Sequence, residues 1–332
     1  MRLLLTGATG FVGRNVLLQA IRDGRYAEIV VPVRSIEKLR QQFLGDGFDG
    51  VPALVKPLLA CGPEWTFRGM SSFEHVVHSA GLLFGDNPRD YTRGNVDSTL
   101  SLLATLEGDP RIVILSSQAA SGPCAGEEEK TETDPDVPVT WYGKSKLEME
   151  RRVRAEHPSR RVLFLRPPVV LGPRDTATLP LFQLASSPVR VKPGLGPKQY
   201  SFIGVADLSR AIFAALDASD WSDVSQRTFF VAACRPMSDR ELMDGAGGGG
   251  PALTIPIPLG LVRAVSEIID RVPAWRRRVP SLTRDRVKEI FPDRWVVSPK
   301  AFESRFHWKA TDDLPTVLKA TREWYVRTGK LR

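Results

Sequence analysis

The sequence predicts an α/β protein: a doubly wound parallel sheet carrying a smaller, mostly helical C-terminal lobe. Three features lead there. The first half alternates short β-branched runs with helical patterns, the rhythm of parallel strands joined by crossover helices. Several of those runs are apolar almost throughout, Ile112-Val113-Ile114-Leu115 most plainly, as strands buried on both faces must be. After Arg166 the rhythm changes, and residues 167–200 become rich in Pro and Gly.

Taken in order, strands are expected over 2–6, 28–33, 53–58, 74–79, 111–117 and 161–166, with helices near 11–23, 35–44, 88–107 and 141–156 between them. A strand–helix pattern returns over 201–216, and another strand follows near 228–231. The Gly-Ala-Gly-Gly-Gly-Gly run at 245–250 reads as a flexible loop. From Pro251 onward the chain reads as helical and basic. The expected division is one domain from 1–170 and 199–235, and a second lobe from 171–198 and 236–332. No internal repeat is visible.

Composition narrows the class. A chain of 332 residues with 42% apolar and 25% charged residues can bury a core without covalent staples. Cys61, Cys124 and Cys234 are few, odd in number and widely spaced, which argues against a disulfide framework or zinc cluster and suits a reducing cytosol. No apolar run approaches the ~20 residues that span a bilayer. The opening Leu3-Leu4-Leu5 is broken at Gly7, too soon for the apolar region of a signal peptide. The expected location is cytoplasmic. The net charge of +8 raises nucleic acid as a partner. Yet the basic residues are dispersed, and the one dense cluster, Arg276-Arg277-Arg278 beside Trp275, stands alone. A phosphate-bearing cofactor, an anionic substrate or a membrane surface accounts for the charge better.

The residues Thr6-Gly7-Ala8-Thr9-Gly10-Phe11-Val12-Gly13 end the first strand and open the first helix. Glycine is wanted three times in such a loop: for the tight turn, for backbone approach to a pyrophosphate, and for close packing of helix on strand. The helix start then offers free N–H groups and its positive dipole end to phosphate. The spacing is Gly-x-x-Gly-x-x-Gly, a variant of the dinucleotide fingerprint of a Rossmann-type sheet. The second strand ends in Val33-Arg34-Ser35, with Lys38 one turn on. An acidic residue there would grip the ribose hydroxyls of NAD, whereas Arg accommodates the 2′-phosphate of NADP. Arg34, Ser35 and Lys38 therefore favour NADP, with NAD left open.

Tyr142 and Lys146 lie four apart, on one face of a helix. A phenol titrates near ~10, and an ammonium one turn away favours its phenolate. Lowering it by ~3 units takes ~4 kcal/mol, which that ammonium and a positive nicotinamide ring could supply in a dry pocket. Ser116-Ser117 end a buried strand at the ligand-binding edge, where a hydroxyl can donate to a carbonyl oxygen as charge develops on it.

Together these residues resemble the extended short-chain dehydrogenase/reductase superfamily, also called the NAD-dependent epimerase/dehydratase family. The resemblance extends to His78-Ser79-Ala80-Gly81, Gly94-Asn95-Val96, Arg166-Pro167-Pro168-Val169-Val170-Leu171-Gly172-Pro173 and Phe202-Ile203-Gly204-Val205-Ala206-Asp207-Leu208. It implies that Tyr142 is the general acid/base, that Lys146 holds the nicotinamide ribose and tunes Tyr142, and that Ser117 orients the substrate oxygen. Gly7, Gly10, Phe11, Val12 and Gly13, with Thr6, would bind pyrophosphate. Ala80 and Gly81 would lie along the cofactor, and Pro167 and Val169 would flank the nicotinamide. Asn95 matches an asparagine of the family's catalytic set, with a buried structural role as the alternative. Two departures matter. Leu58-Leu59-Ala60-Cys61-Gly62 offers no Asp for adenine after the third strand, and Ser116-Ser117-Gln118 replaces the Thr-Asp-Glu of sugar 4,6-dehydratases.

The dihydroflavonol-reductase-like and sterol-dehydrogenase-like branch is the nearest in pattern. It implies hydride transfer between NADP(H) and a carbonyl or secondary alcohol of a small or lipid-like substrate. The alternatives are a nucleotide-sugar epimerase and a non-catalytic dinucleotide sensor or scaffold. Sugar-nucleotide enzymes often carry an Arg where this chain has Lys198-Gln199-Tyr200-Ser201, which weighs against epimerisation. The resemblance also implies a homodimer through the helices flanking the tyrosine.

In the second lobe, Leu261, Val262, Val265, Ile268, Ile269 and Val272 recur at helical spacing. The helix either packs on the core or walls a lipid-like substrate. Trp275 and its three arginines read as a solvated basic turn, with an anionic surface as the alternative. The tail 312–331 resembles the family's closing helix. His157 and His307 show no ligand spacing and read as structural.

Overall fold

The computed structural model describes residues 1–65 and 72–331. Its first half runs β1 (Arg2–Thr6), α1 (Phe11–Asp23), β2 (Glu28–Val33), α2 (Ile36–Gly45), β3 (Val55–Leu59), β4 (His75–His78), α3 (Pro88–Tyr91), α4 (Ser98–Thr105), β5 (Arg111–Leu115), α5 (Gln118–Ser121), α6 (Trp141–Glu156) and β6 (Val162–Arg166). Then come β7 (Val169–Leu171), α7 (Leu179–Ala185), β8 (Val189–Pro193), β9 (Gln199–Tyr200), β10 (Phe202–Gly204), α8 (Val205–Leu216) and β11 (Thr228–Phe230). The last part holds β12 (Met237–Ser238), α9 (Asp239–Gly247), β13 (Leu253–Ile257), α10 (Leu259–Arg271), α11 (Pro273–Arg278), β14 (Arg294–Trp295), α12 (Lys300–Phe306) and α13 (Leu314–Arg327).

Seven strands form one sheet in the order β11-β6-β5-β4-β1-β2-β3, every pair parallel. The order reverses between β1 and β4, so the carboxyl ends of these two strands flank the crevice where such sheets bind ligands. The alternating apolar runs form this sheet because both faces are covered: Leu3, Leu5, Val77, Val113 and Leu163 join one core, while Leu4, Val76, Ile112, Ile114 and Phe164 join the other. Each such side chain contributes roughly 1.5–3 kcal/mol by burial. Among the described residues no helix is long and apolar enough to cross a membrane.

Four expectations change. The helix expected over 88–107 runs on through Thr105 but is not regular: a π-helical turn, Thr92–Asp97, lies between α3 and α4. The widened turn lets Asn95 point inward, and Gly94 admits Leu82, whose Cβ would lie 2.8 Å from any Cβ at that glycine. The glycine run at 245–250 is not a loop throughout, because α9 continues to Gly247. A Cβ on Gly245 would come within 2.7 Å of Leu318, and one on Gly247 within 2.4 Å of the Ala185 carbonyl. These glycines are where α9 presses on α13 and α7, and the turn waits for Gly248 and Gly249 with φ of 78° and 76°. The segment after Pro251 is not helical at first: β13 pairs in parallel with β8. A second small sheet, β12-β9-β14, also stands among the helices of this region. Finally, the third strand begins at Val55, which the register of β2 sets opposite Ile29.

Candidate active site

The glycine loop needs its glycines for stated reasons. Gly7 has φ of 75°, a left-handed conformation, and a Cβ there would meet the Ala80 amide at 2.7 Å. A Cβ on Gly13 would lie 2.2 Å from the Gly7 carbonyl, so α1 can sit this close to β1 only without one. Gly10 begins α1 with no side-chain cap. The first N–H groups of a 13-residue helix therefore face the crevice uncapped, which suits a pyrophosphate. The cradle fits a dinucleotide.

Thr6 lies beneath this loop rather than in it. Its side chain is fully buried, and its hydroxyl accepts from the Ala80 amide at 3.2 Å and meets His78 Nδ1 at 2.7 Å. His78 Nε2 lies 2.9 Å from the Thr99 hydroxyl, which itself donates to the Asn95 carbonyl at 2.7 Å. With its proton so engaged, Thr99 accepts from His78 Nε2–H, leaving Nδ1 to accept from Thr6. Burial, with the Lys146 charge added, holds His78 neutral at about 3. This relay joins β1, β4 and the π-turn; the motif around His78 marks the residue but not the contacts it makes.

At the end of β2, Arg34 is exposed and has neither a hydrogen bond nor an ion pair among the described residues. Ser35 caps α2, its hydroxyl accepting from the Lys38 amide at 3.1 Å, and the Lys38 side chain is exposed. No carboxylate follows Val33 directly.

Around the tyrosine, packing brings the expected residues together. Thr140 caps α6, with its hydroxyl accepting from Gly143 N at 3.2 Å. A Cβ on Gly143 would lie 2.2 Å from the Ala119 carbonyl, so this glycine lets α6 press onto the segment after β5. Tyr142 thereby faces Ser117 closely enough that the serine hydroxyl favours the phenolate. Lys146, one turn along, is buried and donates to the Leu115 carbonyl at 2.9 Å. Further along α6, Glu150 takes both arms of Arg166 at 2.9 and 2.7 Å, bolting the helix to the end of β6.

Asn95 is almost completely buried. Its Oδ1 accepts from Leu82 N at 2.7 Å, and its Nδ2 donates to the Leu82 carbonyl at 3.1 Å and to the Ser145 hydroxyl at 2.9 Å. Its amide is thus engaged in holding the 81–82 loop against α6. Gly81 sits between: a Cβ there would reach 3.0 Å from Asn95 Oδ1 and 3.2 Å from Lys146 Nζ. Pro167 is buried, its carbonyl accepting from Gln118 N at 2.9 Å, while Val169 stands exposed on β7. Phe11 and Val12 begin α1, and Ala80 follows β4 beside Gly7.

The electrostatics differ from the expected lowered phenol. Burial raises Tyr142 above its ordinary value, against the Ser117 hydrogen bond and the charge of Arg286, with Glu289 and Tyr91 adding to the rise. Burial also lowers Lys146 to about 8, opposed by Glu150. The cation acting most strongly on the phenol is Arg286, which no motif announces. It lies in a 3-10 turn, Arg286–Glu289, whose guanidinium stands 5.4 Å from the ring centres of both Tyr142 and Phe84. The same turn docks on the start of α6: Glu289 accepts from the Thr140 hydroxyl at 2.8 Å, and Asp285 from Trp141 N at 2.9 Å.

Two cavities open elsewhere. One of about 290 Å³ lies behind α6 near Arg166 and Glu132, and one of about 370 Å³ lies between Gly172, Val205 and Thr316. Neither includes Ser117, Tyr142 or Lys146, so the site is identified by its chemistry at the strand ends.

The model of the NAD dependent epimerase/dehydratase family matches residues 3–229. The chain is 32% identical to the ceramide reductase of Caulobacter vibrioides over 190 residues, 56% of this chain and 51% of that protein, so the match spans about half of that relative. It is 25% identical to the ketoreductase azaE of Aspergillus niger, over 77% of this chain and 85% of that one. In fold it is similar to a UDP-glucuronic acid 4-epimerase from Bacillus cereus in complex with NAD, with a TM-score of 0.73 and 16% identity over 99% of both chains.

Proposed function

The chain belongs to the NAD-dependent epimerase/dehydratase family and is an enzyme of the extended short-chain dehydrogenase type, and from that premise we propose that it reduces a carbonyl group, or oxidises the matching secondary alcohol, of a small or lipid-like substrate. The observation that carries this is Tyr142 facing Ser117, with Lys146 one helical turn along, buried beside Gly81, at the carboxyl end of the sheet.

When bound, the nicotinamide dinucleotide supplies or accepts the hydride. The chain's own residues do the rest. The glycine loop and the start of α1 hold the pyrophosphate, and Lys146 holds the nicotinamide ribose. Ser117 donates a hydrogen bond to the substrate oxygen, and Tyr142 hands its phenolic proton to that oxygen during reduction or removes it during oxidation. Because burial, with Glu289 and Tyr91, raises the phenol, its phenolate depends on Arg286, Ser117 and the positive ring of the oxidised cofactor. Asn95 acts as a positioning residue, through Leu82 and Ser145.

NADP(H) is the proposed cofactor, because Arg34 and Lys38 are exposed where a 2′-phosphate would lie and no carboxylate directly follows Val33. Segments 171–198 and 236–332 are proposed as the substrate lobe. Sugar-nucleotide epimerisation is disfavoured by Lys198, which is buried and tied to the Ile290 carbonyl at 2.7 Å and to Asp293 at 3.1 Å, so it offers nothing to a diphosphate. A lipid-like carbonyl agrees with the names of the two reductase relatives only in part, since azaE is called a ketoreductase without naming a lipid. The test is consumption of NADPH and of NADH with a panel of long-chain and short-chain ketones. Net consumption, faster with NADPH, supports the proposal. Cofactor that stays bound through gel filtration, with no net consumption, contradicts it.

A further inference from the structure

We propose that the outer face of α10, α11 and the β8–β13 pair seats the protein on an anionic lipid bilayer. Nine of the seventeen large apolar side chains exposed among the described residues lie on two short segments, 189–195 and 253–275, so the exposure is concentrated rather than scattered. On α10, Leu261, Val265 and Ile268 fall on one stripe, and Trp275 follows on α11; all four are 43–51% exposed. Val262, Ser266 and Ile269 on the neighbouring stripe are buried and fix the helix to the protein, so the exposed stripe is not its packing face.

The strand pair adds a second apolar surface. Its register sets Leu253 opposite Val189 and Ile255 opposite Val191, and all four are exposed. Because side chains alternate along a strand, these four share one side of the sheet. The two surfaces adjoin in the chain, where β13 passes into α10 through Pro258 and Leu259 lies beside Gly194.

Charge selects the occupant. Residues 251–290 hold eight basic and four acidic side chains, an excess of +4, half of the +8 carried by all 332 residues. Arg271 and Arg278 are exposed beside the stripe and have no acidic partner among the described residues. A second copy of the chain meeting this face about a two-fold axis would bring the same basic belt against itself. An anionic bilayer answers both the belt and the apolar stripe, with Trp275 at headgroup depth. The face also ends beside the active site: Arg276 donates to the Asp86 carbonyl, in the loop whose Phe84 shares Arg286 with Tyr142.

This contact needs no cofactor or turnover, so its test is separate from that of the reaction. The full chain is mixed with vesicles of phosphatidylcholine alone, or with roughly one third phosphatidylglycerol as the anionic lipid, then sedimented at low and high salt. Pelleting that requires phosphatidylglycerol and weakens with salt supports the proposal. The double substitution Leu261→Asp/Ile268→Asp should reduce partitioning about tenfold or more, with an unchanged thermal melt because both sites are exposed. Arg271→Glu/Arg278→Glu should remove the dependence on phosphatidylglycerol. Failure of the wild-type protein to pellet with any vesicle would overturn the proposal. So would a wild-type dimer in light scattering that the aspartates convert to monomer, since the face would then belong to a second copy.

Discussion

Replacing Arg286 by Gln removes the cation that acts most strongly on Tyr142 while keeping much of the side chain's volume. The guanidinium lies over the tyrosine ring, 5.4 Å from its centre, which puts it on the order of 6 Å from the phenol oxygen. At an effective dielectric constant of ~20, unit charges at that separation interact by about 2–3 kcal/mol. Glu289, 3.1 Å from the guanidinium, has the opposite sign and offsets part of this. A net effect of about 1–1.5 kcal/mol remains, or roughly one pH unit in the ionisation of Tyr142. Losing a cation disfavours the phenolate, so the phenol titrates higher. Alcohol oxidation needs the phenolate, so its kcat/KM should fall about tenfold below the phenol's pKa and its pH profile should move about one unit to the alkaline side. The assay is kcat/KM for alcohol oxidation against pH, beside a circular-dichroism melt, since the Arg286 turn also docks on α6. Arg286→Lys keeps the charge and should restore the profile. A uniform loss at every pH in Arg286→Gln, or a profile that does not move, would refute the electrostatic argument.

Further expectations follow from individual contacts. Gly13→Ala places a methyl 2.2 Å from the Gly7 carbonyl, where only backbone can give way, so NADPH binding by fluorescence titration should weaken about a hundredfold or more. Arg34→Glu puts a carboxylate at the end of β2, and the ratio of KM for NADPH to KM for NADH should rise about tenfold or more; an unchanged ratio would remove Arg34 from the cofactor site. Burial holds His78 at about 3 and His75 at about 4, whereas both titrate near 6.5 once unfolded. Between those values the unfolded chain binds protons that the folded chain does not. Stability should therefore fall as the pH drops below ~6.5, by up to about 1.4 kcal/mol per pH unit for each histidine. Urea midpoints at several pH values measure this, and His78→Gln should remove about half of the slope.

How much of this was legible depended on how local each cause was. The strand–glycine–helix opening was plain because its causes, a buried β-branched run and three glycines, lie within 13 residues. Tyr142 and Lys146 could be paired because helical spacing alone puts them on one face. The π-turn inside the helix over 88–107 was hidden, since the residue that Asn95 and Gly94 meet there, Leu82, lies outside the periodic segment. The glycines of α9 misled for a related reason. Glycine marks a loop when it is free and a close helix contact when Leu318 and Ala185 lie against it, and only the fold distinguishes the two. Arg286 and Glu289 left no trace, because they reach the start of α6 from about 145 positions away along the chain, through tertiary packing alone. The expected lowering of the phenol counted an ammonium and a positive nicotinamide ring in a dry pocket; among the chain's own groups burial outweighs Ser117 and Arg286.

In the proposed reaction Tyr142 exchanges a proton with the substrate oxygen inside an otherwise intact cofactor site. Tyr142→Phe tests this most directly when NADPH affinity and turnover of one accepted ketone are measured on the same preparation. The expected result is affinity within about threefold of the wild type and a kcat lower by roughly 10²–10⁴. Turnover near the wild-type rate would contradict the account, because the reaction would then need no phenol.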